Sequence, residues 1–160
     1  MSIEPVGRIA AVGLLGALAL CADASAQCNY DVLVLEYPID CSIGTVITRG
    51  IGMNEHGAVV GEYKCSIWTT TEAFLWTPEG GFSTLQRPPG VTSASAVDIN
   101  EQGVICGTMI VGGLGYRGFV YDDGEWTELS PVLPESGWSM AWAISNSGLV
   151  VGERAIGDDV

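Results

Sequence analysis

Glu62 and Glu153 each follow a glycine that closes a short apolar run, Val59-Val60-Gly61 and Val150-Val151-Gly152. Two carboxylates brought to face each other are the equipment of acid–base chemistry such as glycoside hydrolysis. The same place after Gly107 holds Thr108, and solvent-facing strand ends account for all three residues, so that plainer reading is preferred. His56, the single histidine, stands where a second copy of its segment has Gln102, which makes it a turn residue rather than a base or ligand. Asp122, Asp123 and Glu125 lack the ligand at every second residue that a calcium loop needs. No Cys/His spacing fits zinc. The sequence shows no nucleophile–base pair and implies no catalytic residue, metal or cofactor. Its best ligand-binding candidates are aromatic: Tyr37, Trp68, Tyr116 and Trp138, with Arg87 and Arg117 beside them. Such rings pair a flat apolar face with a polar handle, which suits stacking on a sugar or anchoring a protein partner. The competing reading folds Trp68 and Trp138 back onto the scaffold as core.

The scaffold that must position these residues is written in a phrase repeated three times: IGMNEHGAVVGEY from Ile51, VDINEQGVICGTM from Val97 and WAISNSGLVVGER from Trp142. Gly57, Gly103 and Gly148 align, and so do Gly61, Gly107 and Gly152. The segments Ala73–Trp76 and Gly118–Tyr121 follow the first two copies, and units close at Leu85 and Leu129. Periods of this length mark stacked or radial repeats. Each unit reads as four strands, a to d. Asn54 and Asn100 (Ser145 in the third copy) open the a–b turn, and Gly57, Gly103 and Gly148 close it. This is the composition of a type I turn followed by a residue at positive φ, so these residues are structural rather than catalytic. Strand b is apolar without alternation, which predicts burial on both faces. Pro78-Glu79-Gly80-Gly81 and Asp122-Asp123-Gly124 predict c–d hairpins. Trp76 with Tyr121, and Leu85 with Leu129, are expected to fill the space between sheets.

The predicted class is therefore all-β, with four-stranded antiparallel blade-like repeats. A leading strand covers 30–35, repeat one 47–85, repeat two 94–129 and a partial repeat three 139–160. Strand c of the third unit would begin near position 163, so about two and three-quarter repeats are visible. Further repeats beyond Val160 are the favoured way to complete the array, and a homo-oligomer is the other. Alternation of strand direction puts the longer d–a and b–c loops at one end, among them Lys64–Glu72, Ile110–Tyr116 and Ser130–Ser139, where binding is expected to concentrate.

Residues 1–26 read as a signal peptide. Arg8 precedes a 12-residue apolar run, Ile9–Leu20, too short to span a bilayer, and Ala24-Ser25-Ala26 gives a cleavage pattern. The expected product, 27–160, is secreted or extracellular (periplasm or outer surface), without a transmembrane span. It carries five basic against 17 acidic side chains, a formal charge of −12. Such a surface repels phosphate backbones, which excludes nucleic acid as a natural partner. Cys28, Cys41, Cys65 and Cys106 remain after cleavage, an even count that permits disulfides. Cys41 and Cys65 fall in loops at one end of the same sheet and form the preferred pair, whereas Cys106 replaces a buried valine and reads as a small free hydrophobe.

The phrases A-x-x-I-N-x-x-G-x-V-V-G, A-F-x-W and G-x-x-x-x-L resemble the bacterial HAF-type extracellular repeat family. Ala96, Ile99, Asn100 and Gly103 fit the first phrase, as do Ala141, Ile144 and Gly148, and Ala73, Phe74 and Trp76 fit the second. Cys106, Gly118 and Tyr121 depart from it at packing positions. The resemblance covers the chain from about Tyr30 onward. It implies secreted tandem repeats of propeller-like all-β structure without an assigned enzymatic activity. Sequence and resemblance together lead to a non-enzymatic binding or structural scaffold with an unknown protein or carbohydrate partner. The alternative is part of a propeller-type extracellular hydrolase or lyase.

Overall fold

The a–b turn, said three times in the sequence, is built three times in the same way. The computed structural model describes residues 34–35, 45–65, 70–129 and 137–155. In each turn the backbone N–H of the glycine donates to the carbonyl of the opening residue: Gly57 to Asn54, Gly103 to Asn100 and Gly148 to Ser145, all within 3.0–3.1 Å. The three glycines hold φ of 78°, 84° and 79°, a region costly for any residue with a Cβ.

These turns join ten strands among the described residues. β1 (Ile47–Met53), β2 (Val59–Lys64), β3 (Glu72–Thr77) and β4 (Gly81–Thr84) form one antiparallel sheet in that order. β5 (Val91–Ile99), β6 (Ile105–Val111), β7 (Gly115–Asp122) and β8 (Glu125–Glu128) form a second. β9 (Trp138–Ile144) and β10 (Val150–Ala155) form a third, two-stranded sheet. All ten belong to one unit, Leu35–Val160. The all-β, four-stranded repeat expected from the sequence is thus present twice in full and once as strands a and b. The described residues contain no helix long and apolar enough to cross a membrane.

A bulge recurs at the same point of each unit. Gly50 pairs with Gly61 and Gly52 with Val60, which leaves Ile51 unpaired. Val97 is skipped between Ala96 and Asp98, and Trp142 between Ala141 and Ala143. The cause is the glycine that ends strand b. A methyl group on Gly61, Gly107 or Gly152 would run into the carbonyl oxygen of Arg49, Ser95 or Met140 on the bulged strand. On Gly61 and Gly107 it would also meet a ring carbon of Phe74 or Phe119, within 2.9 Å. Both rings are fully buried. Glycine therefore admits two neighbours at once, a bulged backbone and an aromatic ring.

The first strand of each following sheet packs on the second and third strands of the sheet before it: β5 on β2 and β3, β9 on β6 and β7. One core lies between the first two sheets and includes Val60, Ala73, Leu85, Ala96, Ile99, Ile105 and Phe119. A smaller one, Cys106, Ala141 and Ile144, joins the second sheet to the third. Burial of strand b on both faces therefore holds only where a sheet follows. In the third copy Leu149 and Val151 are exposed, because among the described residues no strand covers them. Tyr121 packs against the larger core, and Leu85 belongs to it, but Leu129 is exposed. Leu85 lies in a cluster with Ala94 and Met109, whereas the corresponding positions of the third sheet are polar, Ser139 facing Arg154. The 1–26 leader lies outside the described residues, as does the leading strand 30–35 except for Val34 and Leu35, which are not in a strand.

Candidate functional site

Two concavities compete for the role of site. The larger, about 650 Å³, lies at the loop end of the first sheet and is lined by Tyr63, Lys64, Glu72, Thr84, Arg87 and Pro88, among others. Four of its polar side chains, Arg87, Glu72, Tyr63 and Thr84, already engage one another. Arg87 donates through Nε and Nη2 to the two oxygens of Glu72, each at 2.7 Å, and through Nη1 to the Val91 carbonyl at 2.7 Å. Tyr63 and Thr84 share a hydroxyl–hydroxyl bond of 2.9 Å. A satisfied network of this kind braces the chain and leaves little for a ligand to bind.

The smaller, about 300 Å³, follows β5 where all three sheets approach, and its walls include Glu62, Ser95, Thr108, Tyr116, Met140 and Trp142. Tyr116 and Trp142 are 47% and 49% exposed, a large apolar area left in water beside polar groups. Trp142 is there because it is the bulge residue of β9, turned out of the ladder by Gly152 opposite. Tyr116 stands on β7, paired with Ile110. Glu62 faces the groove from β2 and holds Arg49 Nη1 at 3.1 Å through one oxygen. The Thr108 hydroxyl is buried without a partner among the described residues. The groove therefore offers two aromatic surfaces and a carboxylate within one concavity, a set that can stack on and hydrogen-bond a polar ring.

No protein-family model, curated protein or solved structure matches this chain.

Of the residues singled out from the sequence, Tyr116 lines the groove, but as part of a strand rather than of a long b–c loop. The β6–β7 connection is only Gly112-Gly113-Leu114, and glycines at positive φ, Gly113 and Gly115, turn the chain that tightly. Trp138 is likewise the first residue of β9, paired with Ala155, half-buried and outside the groove lining. Tyr37 and Trp68 lie outside the described residues. Glu153, on β10 opposite Met140, is absent from the lining that includes Glu62, so the two glutamates do not meet there. Arg117 is not a loop residue. It is buried, donates to the Gly137 carbonyl at 2.6 Å and lies 3.2 Å from Glu128 Oε1. His56 is exposed, with Nδ1 2.8 Å from Glu101. Asp122 and Glu125 pair across a two-residue hairpin, Asp123-Gly124, with both φ positive. No cluster of three metal-binding side chains occurs among the described residues. Cys65 is disulfide-bonded; Cys41, its preferred partner from the sequence, lies outside the described residues; and Cys106 is free and buried.

Trp142 is what the sequence reading missed. It sits inside the repeated phrase, where the other copies carry Ile51 and Val97, and an outsized aromatic at an otherwise aliphatic position was the signal available.

Proposed function

We propose that the protein is a secreted, non-enzymatic repeat module that binds a carbohydrate in the groove along β5. The observation that carries this reading is the pair of half-exposed aromatics, Tyr116 and Trp142, set in one concavity with Glu62. Aromatic faces stack on the apolar faces of sugar rings, and a carboxylate accepts from their hydroxyls. The leader-like residues 1–26 and the disulfide at Cys65 support export to an oxidising compartment. Contacts between the first strands of successive sheets, β1 with β5 and β5 with β9, support blades arranged about an axis, as in a propeller-like array and as the resemblance to HAF-type repeats implies.

A glycan array probed with the full chain tests the reading, followed by titration calorimetry on any binder. Trp142→Ala is expected to weaken binding at least about tenfold, the scale of a lost aromatic contact at a binding hot spot. Its thermal stability should hardly change, since the side chain is half in water. Absence of any glycan binder, or a Trp142→Ala chain that binds as tightly as the parent, would overturn the carbohydrate assignment. Protein pull-downs with the same pair of chains would then identify a protein ligand.

A further inference from the structure

The two internal junctions between sheets are built from one pair of surfaces. The leading sheet offers apolar residues just after its a–b turn, and the following sheet offers the end of its first strand. In the first junction these are Ala58 and Val60 against Ala96 and Ile99; in the second, Val104 and Cys106 against Ala141 and Ile144. The turns are linked as well. The Asn54 amide donates to the Asn100 carbonyl and the Asn100 amide to the Ser145 carbonyl, both at 3.1 Å. The Glu55 N–H donates to the Glu101 side chain, and the Glu101 N–H to the Asn146 side chain, both at 3.0 Å.

Each end of the described array carries one half of such a junction without the other. At the first sheet Met53 is 68% exposed, while its counterparts Ile99 and Ile144 are 5% and 7% exposed. Ile47 and Ile51, on the same strand, are exposed too. At the third sheet Val151 is 55% exposed, while its counterparts Val60 and Cys106 are fully buried. Leu149 beside it is also exposed. Apolar groups of this size left in water at both ends are matched halves, because the molecule twice buries the corresponding pair within itself. A second copy of the chain carries the complementary half for either end.

We propose that copies of this chain associate head to tail, with the Met53 face of one copy seated on the Leu149–Val151 face of the next. Gly50 takes the place of Ala96 and Ala141 in the new junction, which leaves room for the larger Leu149. The Glu55 carboxylate of one copy stands where Glu101 and Asn146 stand internally, ready to accept from the Asn146 N–H of the other. Ser145 has no amide to continue the chain of turn links, so this junction is weaker than the internal two. The contact is heterologous, and its product is a ring if the rotation closes or an open filament if it does not.

Sedimentation velocity on the full chain across a concentration series tests this. The parent should form species larger than a monomer as concentration rises. Met53→Asp and Val151→Asp each place a charge on one half of the contact and should weaken association at least about tenfold. Both positions are exposed, so circular dichroism should show the parent fold. Mixing the two variants leaves one intact face on each, and the mixture should form dimers and stop there. A parent that stays monomeric at every concentration overturns the proposal. So does a Met53→Asp chain that associates as the parent does, since that would place the contact on another surface, and so does a mixture that stays monomeric.

Discussion

The side-chain amide of Asn54 donates to the backbone carbonyl of Asn100, 46 residues further along the chain, at 3.1 Å. The same side chain accepts from the Ala58 N–H at 3.0 Å through its Oδ1. One asparagine thus completes its own turn and ties that turn to the next.

That double role separates two substitutions at Asn100, whose Oδ1 accepts from Gln102 and Val104 and whose amide donates to Ser145. Asn100→Ser keeps an acceptor for the turn, as Ser145 does for Leu149, and loses only the link. It should cost about 1 kcal/mol. Asn100→Ala also strands two partly buried donors, the N–H groups of Gln102 and Val104, and should cost about 2 kcal/mol. Urea denaturation of the two variants measures the difference.

Gly107→Ala tests the bulge. The new methyl would meet the Ser95 carbonyl and the Phe119 ring together, and neither can yield without moving a buried strand. The expected loss is about 3 kcal/mol, read as a lower urea midpoint, with near-ultraviolet circular dichroism reporting displaced aromatics. A variant as stable as the parent would mean that the bulge does not depend on the glycine.

Burial, and after it the charge of Asp98, push the Cys106 thiol up from 9.0 to about 11. The native state then keeps its proton while the unfolded thiol, near 9.0, has lost it. The contribution to stability is full below pH 9 and is lost as pH rises from there to about 11. It amounts to about 2 kcal/mol over that window. Cys106→Val puts there the residue that the first and third copies carry as Val60 and Val151. The difference between parent and variant in stability-versus-pH curves isolates the thiol: the parent should lose ground to the variant between pH 9 and 11, and parallel curves would refute the prediction.

Arg117 is 3% exposed and holds the carbonyl that precedes β9. Arg117→Met leaves that carbonyl without its donor and Glu128 without its ion pair, for an expected cost of about 2–3 kcal/mol. Arg87→Met acts at a partly exposed site and should cost about 1 kcal/mol. Thermal denaturation of the two variants side by side decides the order.

The period of the repeat, the turn chemistry around Asn54 and Asn100, and the hairpin at Asp123-Gly124 were legible in the sequence, because each follows from local backbone demands that only a few residue types meet. Burial of strand b was legible for Val60 and Cys106 but not for Val151. The pattern of residues is the same in all three copies, and what differs is whether a sheet lies opposite. The groove was half legible. Tyr116 stood out as an aromatic, but Trp142 was hidden in a phrase read as scaffold. Its size at an aliphatic position was a signal, but its exposure comes from a bulge set by a glycine on the partner strand. The roles of Arg87 and Arg117 were not legible at all, since each depends on an acceptor at the entry to the following sheet.

Those two arginines bind carbonyls at the same structural place, the entry to the next sheet's first strand, through Val91 and Gly137. Yet one rises from the connection after β4 and the other from β7. A peptide oxygen is supplied by every residue type, so mutation cannot erase the receiving end of the clasp. The giving end is then free to migrate between units, provided some guanidinium still reaches. Divergence in such an array can therefore scramble the letters of a fastening while its position in space is inherited unchanged.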